Sequence, residues 1–259
     1  MGIQTKKISA WLSANGQAVT NASKNSMIEA INANSLQMYD GVFIMYHRKS
    51  DNFPLAVRVS DWPALQSAGQ IADGVLLVEG GKHVVVAPTE ASNGLPWSSK
   101  PTSTTNSQSQ TVSKGDGVQI SGVTTTGDRL TAFADFTGKA NTAAIVKAST
   151  TTNITNTADY APGFCNKYSR ANVNGKGLLA GTWWLPSLAE LALIWANFDK
   201  VNYALSKISG ATQLQETWYW SSTQRSADLA WRLNLSDGSV YNGYKFYQGG
   251  VRPVSAFLQ

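Results

Sequence analysis

The strongest local constraint on the fold is a pair of adjacent glycines, Gly80 and Gly81, between two apolar runs. Residues 75–79 (VLLVE) precede the pair and residues 83–87 (HVVVA) follow it. Tight two-residue β-turns need positive φ angles, which glycine adopts readily, and valine favours strands. The sequence therefore predicts an antiparallel hairpin over residues 75–87 and a sheet in this part of the chain.

Further strands and helices are predicted on both sides of this hairpin. Residues 41–45 and 55–59 are apolar runs separated by turn-forming residues, which is typical of a strand pair. Ser187 and Glu190 have the spacing of a helix capping box, and an apolar stripe follows them. Residues 229–235 alternate between apolar and polar side chains, as in a half-buried strand. Shorter helices are predicted at residues 141–148, 158–168 and 200–209. Helices in the middle of the chain and strands at both ends indicate an α+β fold whose terminal strands meet.

Composition excludes several classes of protein. Charged residues make up 14% of the chain, against about 25% in average proteins. The formal net charge is +5, but Lys and Arg are scattered, so we expect no nucleic-acid partner. No apolar stretch is long enough to span a bilayer, so we expect no membrane insertion. Cys165 is the single cysteine, which excludes an intrachain disulfide and a cysteine-based zinc cage, and we expect it to be buried.

Sequence motifs for catalysis are missing. The chain has no GxSxG, HExxH, GxxxxGK[ST], GxGxxG or CxxC pattern, and its carboxylates are not paired in a cleft motif. His47 and His83 are expected to be surface or strand-end residues. The glycine-rich turns contain Asp116, Asp128 and Asp135, whose spacing fits turn formation better than a calcium loop. We therefore expect a protein that is not an enzyme and has no metal and no cofactor.

The C-terminal segment, residues 218–257, is rich in aromatic residues. Trp220, Trp231 and Phe257 have apolar, alternating neighbours and are expected in the core. Residues 241–250 (YNGYKFYQGG) lack a clear period and end in glycines, so they predict a loop. Tyr mixed with Asn and Gly is the composition of binding loops, where Tyr supplies rigid contact area. The alternative is a buried, irregular strand rich in tyrosine.

Six motifs occur in an order that carries a family resemblance. They are DGVLLVEGGKHVVVAP (73–88), GKANTAAIV (138–146), GTWWLPSLAEL (181–191), YWSST (219–223), AW (230–231) and VRPVSAF (251–257). Together they resemble C-type-lectin-fold domains of the formylglycine-generating-enzyme type. They look most like the variable proteins of diversity-generating retroelements. The resemblance covers the chain from about residue 71 to its end.

The resemblance implies a domain organisation. Residues 71–259 would form an α+β C-type lectin fold with two helices and a twisted antiparallel sheet, preceded by a small attachment or oligomerisation segment at residues 1–70. Residues 98–117 would be a polar Ser/Thr-rich loop. The variable region would lie at about residues 218–257 and present a ligand-binding face.

In such families the end of the gene is rewritten at adenines of a template, so that Asn codons become codons for Tyr, Ser, Asp, Phe, Leu, Arg or Gly. Residues of these types interrupt the scaffold-like motifs of this chain. The resemblance therefore implies variable, ligand-binding positions at Arg225, Asp228, Leu229, Arg232, Ser236, Ser239, Tyr241, Asn242, Tyr244, Phe246 and Tyr247. The arginines and the aspartate would steer the ligand, and the aromatic residues would anchor it.

The function implied is receptor binding without catalysis. The chain begins without a signal peptide or lipobox, which favours a phage tail protein that attaches the virion to a host cell-surface protein or glycan. We expect a homo-oligomer, with a trimer as the arrangement suggested by tail fibres, located in the virion or at a cell surface. The alternative is a bacterial surface or fimbrial carbohydrate-binding adhesin with a fixed site. Formylglycine-generating enzymes use a pair of cysteines, and the single Cys165 argues against that activity.

Overall fold

The computed structural model describes residues 39–97, 102–105, 108–109, 111–114, 118–148 and 158–257. The chain divides into two units, Met1–Tyr39 and Asp40–Gln259, and all the described helices and strands belong to the second. The attachment role expected for residues 1–70 stays a prediction. Residues 41–58, which we grouped with that segment, hydrogen-bond into the same sheet as residues 72–79.

The strands of the described residues form four antiparallel sheets. Their bounds are β1 (Gly41–His47), β2 (Pro54–Arg58), β3 (Ala72–Glu79), β4 (Lys82–Val86), β5 (Thr102–Thr105), β6 (Thr111–Lys114), β7 (Arg170–Ala171), β8 (Gly177–Leu178), β9 (Trp218–Gln224), β10 (Leu229–Asn234), β11 (Val240–Tyr244) and β12 (Val254–Ser255). The largest sheet has the order β12-β4-β3-β1-β2, and a second has the order β11-β10-β9. The pairs β5-β6 and β7-β8 form two small sheets.

Six helices occur in the described residues, so the α+β class is confirmed. They are α1 (Trp62–Ser67), α2 (Arg129–Phe133), α3 (Gly138–Ala148), α4 (Ala161–Lys167), α5 (Leu188–Ala196) and α6 (Phe198–Leu205). The expectation of two helices was wrong. Three of the six have only five to seven residues, which is too short to show a 3.6-residue apolar period. The C-type lectin fold itself stays a prediction.

The hairpin around the two glycines is confirmed. Strands β3 and β4 pair from Glu79 opposite Lys82, next to the turn, to Val75 opposite Val86. The φ angles of Gly80 and Gly81 are 55° and 74°. Both lie in the left-handed region that glycine tolerates and other residues avoid. The predicted pair β1-β2 is also present, and β1 bonds to β3 on its other side.

The polar tract at residues 98–117, expected to be a loop, contains the strand pair β5-β6, in which Thr102 lies opposite Lys114. Threonine favours extended backbone, and four of the eight residues of this pair are threonine. Asp116 lies outside the described residues.

The last strand of the described residues, β12, is short. Only Val254 and Ser255 pair, against Val86 and Val85 of β4, and Pro253 directly before them has no N–H to donate. The side chain of Arg252 is buried, donates to the Ala87 carbonyl and pairs with Glu90 at 3.2 Å. The first and last strands therefore share a sheet without being neighbours.

Helix α5 packs on strands β9 and β10 and begins with the predicted capping box. The Glu190 backbone N–H donates to the Ser187 hydroxyl, and the Glu190 carboxylate accepts from the Ser187 N–H at 2.8 Å. Beside this sheet lies a core of buried residues. They are Trp97, Ile120, Val123, Ile145, Ala161, Cys165, Leu185, Trp220, Ala230 and Val251.

Trp231 is buried, as expected, and so is Trp184, another tryptophan of the resemblance motifs. Trp184 is 6% exposed and Trp231 is 4% exposed, and the Trp231 indole N–H donates to the Thr126 carbonyl at 2.9 Å. Replacing either with alanine should lower the free energy of unfolding by about 3–5 kcal/mol, because it leaves a cavity in a packed core. Urea denaturation measures this loss. Tyr203→Ala, at a side chain that is 58% exposed, is the control and should lose little stability. A loss as small as this in Trp231→Ala would contradict the expectation.

The buried Glu190 carboxyl should make stability depend on pH. Burial raises its pKa from 4.5 to about 7, against the lowering effect of hydrogen bonds from Ser187 and Trp184. The folded chain therefore holds a proton between these two values that the unfolded chain has lost, so stability falls as pH rises through this window.

Glu190→Gln should remove that pH dependence, because the amide stays neutral throughout. Between pH 5 and 8 we expect the wild-type free energy of unfolding to fall relative to the variant by on the order of a few kcal/mol. Denaturant titrations at each pH measure the difference. Parallel pH profiles for the two proteins would contradict the assignment.

Candidate functional site

The scaffold of the candidate site is the buried indole of Trp220 on β9. A Cβ atom on Gly243 would lie 2.9 Å from its ring, and one on Gly249 would lie 2.8 Å from its Nε1. The indole N–H donates to the Leu95 carbonyl at 3.0 Å. Strand β11 and the following loop can approach this ring closely because glycine has no side chain.

A buried lysine holds the loop after β11 in place. The Lys245 ammonium donates to the Val118 carbonyl at 2.7 Å and to the Gln224 amide oxygen at 2.9 Å. It also lies 4.8 Å from the centre of the Trp97 ring. The sequence analysis did not identify this role, since lysine is rarely buried.

Three aromatic residues cluster on this support. The rings of Tyr244 and Phe246 stack with 5.5 Å between centres, and the Tyr247 ring stands edge-on to both, at 5.6 and 4.9 Å. Tyr244 is 39% exposed and Tyr247 is 43% exposed. The cluster thus presents aromatic surface to solvent while its backbone is fixed by Lys245.

Arg232 on β10 lies opposite Tyr241 of β11, on the same face of the sheet, and Tyr247 of the cluster is near enough to influence the pKa of Arg232. Its guanidinium carbon is 4.7 Å from the centre of the Trp218 ring. A Cβ on Gly243 would lie 3.3 Å from its Cζ and Nε. The guanidinium is therefore confined between an indole ring and the bare backbone of β11, which favours one orientation of the side chain.

The Arg232 Nε is buried and has no hydrogen-bond partner among the described residues. Leaving a buried donor unpaired costs about 1–3 kcal/mol. Burial lowers the pKa of Arg232, and the phenol groups of Tyr247 and Tyr241 act on it in the opposite direction. An arginine stays protonated in proteins despite such shifts, so this residue is a cation set among aromatic rings.

We call Trp218, Arg232, Tyr241, Tyr244, Phe246 and Tyr247 the C-terminal aromatic surface. Five of its six residues are among the predicted binding positions, and Trp218 is the addition. No motif marked Trp218, because its role comes from the register that places Asn234 opposite it and Arg232 within reach.

The predicted loop at residues 241–250 was wrong in its first half. Residues 241–244 belong to β11, with Tyr241 opposite Arg232 and Tyr244 opposite Leu229. Asn242 lies opposite the buried Trp231, on the other face of the sheet from Tyr241. The strand was hard to predict because Gly243, a residue depleted in strands, takes a buried position against Trp220.

The structure does not bring all the predicted positions together. Ser236 and Ser239 lie in the turn between β10 and β11, where Ser236 donates to the Asn234 side chain at 3.0 Å. The six residues of β10 separate this turn, by roughly 20 Å, from the β9–β10 connection. That connection holds Arg225 and Asp228, and the Arg225 N–H donates to the Leu229 carbonyl at 2.9 Å.

A buried histidine and aspartate form a second polar site. The His47 Nδ1 is 2.7 Å from an Asp73 carboxylate oxygen, so His47 is at a strand end as expected but is not at the surface. Burial raises the pKa of Asp73. Within the described part of the chain, the His47 ring bonds to no hydroxyl or thiol, and the pair joins β1 to β3.

The remaining polar candidates have structural contacts. Asp128 caps α2 by accepting from the Thr131 N–H, and Asp135 accepts from the Thr223 hydroxyl at 2.7 Å. Cys165 is buried, which raises the pKa of its thiol. Among the described residues, no three His, Cys, Asp or Glu side chains are grouped as metal ligands. No helix in the described ranges is long and apolar enough to cross a membrane.

Comparisons with known proteins find little similarity. No family model matches the sequence, and no curated protein matches it. Among solved structures, the chain is similar to a fimbrial protein from Bacteroides ovatus ATCC 8483, with 21% identity and a TM-score of 0.43. The match covers 66% of this chain and 35% of the fimbrial protein, so the chain spans about a third of that protein's length. We assign no family from it.

Proposed function

We propose that this chain is a non-enzymatic ligand-binding protein that attaches to a cell-surface protein or glycan through its C-terminal aromatic surface. The observation that carries the proposal is the exposure of Tyr241, Tyr244 and Tyr247 on a support held by buried contacts. Tyr241 is 60% exposed. Rigid tyrosine and arginine side chains are the residues that dominate binding energies at recognition surfaces.

The support and the exposed side chains are separate in the structure. Trp220, Gly243, Gly249 and Lys245 hold the backbone, while the tyrosines contribute little to the core. Such a division suits a binding protein, because the exposed side chains can differ without loss of the fold. It supports the proposal equally for a fixed site and for a diversified one.

The double variant Tyr244→Ala/Tyr247→Ala should lose ligand binding and keep its stability within about 1.5 kcal/mol, since exposed aromatic pairs contribute little more. A glycan array and a panel of fixed bacterial cells, probed with the labelled protein, measure binding. Tyr203→Ala, exposed and outside the C-terminal aromatic surface, is the matched control. Unchanged binding in the double variant would contradict the proposal, and a large loss of stability would show that the two tyrosines are core residues.

The resemblance to retroelement variable proteins supports a finer version of the proposal, in which this surface is rewritten and serves phage attachment. A bacterial surface or fimbrial adhesin with a fixed site is the second version. Both use the same residues and differ in genetic context and anchoring.

The DNA around the gene distinguishes the two versions. A diversified surface requires a nearby imperfect repeat of the segment encoding residues 218–257, with mismatches confined to adenines of the repeat, and a reverse transcriptase gene beside it. Neighbouring virion genes would indicate a phage. Absence of both the repeat and the reverse transcriptase would reject the diversified version and leave the fixed-site adhesin.

A further inference from the structure

We propose that the ligand of the C-terminal aromatic surface is an acidic glycan, and that Arg232 binds its anionic group. This inference rests on the proposed binding function and adds the chemical class of the ligand. It is argued from the surroundings of Arg232, from the aromatic residues beside it and from the size of the surface.

The first argument is that the Arg232 guanidinium has no acidic partner. Within the described part of the chain it forms no hydrogen bond or ion pair, and its Nε is buried without an acceptor. The Arg252 Nε is also without a partner among the described residues, but that guanidinium has an acidic neighbour, Glu90, at 3.2 Å. A half-buried cation without a carboxylate is placed to receive an anion from outside the chain.

The second argument is that the guanidinium is oriented before any ligand binds. The Trp218 ring lies 4.7 Å from its Cζ, and the bare Gly243 backbone confines it on another side. Little side-chain entropy is then lost on binding. The planar fork of an oriented arginine matches a carboxylate or a sulfate through two parallel hydrogen bonds.

The third argument concerns what lies next to the anion. Tyr241 lies opposite Arg232, Tyr247 is near enough to influence the pKa of Arg232, and the Tyr247 ring contacts the rings of Tyr244 and Phe246. A ligand that meets both parts carries a negative group next to a face that packs on aromatic rings, with hydroxyls for the phenols. Pyranose rings bearing a carboxylate or a sulfate have this combination.

The size of the surface favours a glycan over a protein. A standard protein interface takes about 20–30 residues from each side, whereas the C-terminal aromatic surface has six residues. A short acidic oligosaccharide would cover such a surface. The net charge of +5 also favours the approach of an anionic polymer.

The test uses the full chain on an array of uronate-, sialate- and sulfate-bearing oligosaccharides, their neutral counterparts and poly-L-glutamate. We expect binding to acidic spots, with no neutral counterpart bound as tightly. Binding confined to uronate and sialate spots identifies a carboxylate ligand, and binding confined to sulfated spots identifies a sulfate ligand. No binding to any acidic glycan, equal binding to the neutral counterparts, or binding to poly-L-glutamate alone would overturn the inference.

Variants then assign the anion to Arg232. On the glycan bound best, Arg232→Gln should weaken affinity at least tenfold, and Arg232→Lys several-fold, because lysine keeps the charge but loses the planar fork. Arg58→Gln removes a positive charge from the exposed end of β2 and should change affinity less than twofold. Thermal unfolding checks each variant, and Arg232→Lys keeps the test valid if the glutamine variant does not fold.

The variants also separate failure of this inference from failure of the proposed function. If Arg232→Gln binds as wild type while Tyr244→Ala/Tyr247→Ala does not bind, Arg232 is not the anion-binding residue and the surface is still the binding site. If both variants bind as wild type, the inference and the proposed function both fail.

Discussion

The C-terminal part of the fold depends on the close approach of the backbone at Gly243 and Gly249 to the Trp220 ring. The ring fills the space between β9, β11 and the loop that follows, and glycine at positions 243 and 249 leaves room for it. The Trp220 backbone N–H also donates to the Gly250 carbonyl at 3.0 Å. A side chain larger than hydrogen at either glycine would move the backbone that carries the exposed tyrosines. The fold and the C-terminal aromatic surface therefore depend on the same packing contact.

Local features of the sequence predicted the fold best where neighbouring residues decide the structure. The hairpin at Gly80 and Gly81 and the capping box at Ser187 follow from turn and cap chemistry over a few residues, and both are present. Strand β11 was missed because its pattern depends on a distant ring. Gly243 is buried against Trp220, so the alternation of buried and exposed positions does not appear as alternating hydrophobicity.

The candidate site was predictable in its residue types and less so in its geometry. Tyrosine enrichment drew attention to Tyr241, Tyr244 and Tyr247, which are exposed. The sequence could not show that Ser236 and Ser239 lie a strand's length from Arg225 and Asp228, because that follows from the pairing of β10 with β9 and β11. Nor could it show the burial of Lys245, whose partners are the carbonyl of Val118 and the amide of Gln224, far away in sequence. The resemblance to retroelement variable proteins adds a hypothesis about the origin of the surface residues, which genomic sequence can test.

The exposed tyrosines lie in residues 241–250. Strand β12 follows this segment and pairs with β4, and Arg252 beside β12 is buried against Glu90. Residues 241–250 thus lie between two parts of the chain that are both fixed in sheets. Segments with few buried contacts open locally most easily, and here β12 and the Arg252–Glu90 ion pair hold the chain directly after the segment. In the proposed function, a surface held in this way would select its ligand by a shape and charge that exist beforehand, with little folding upon contact.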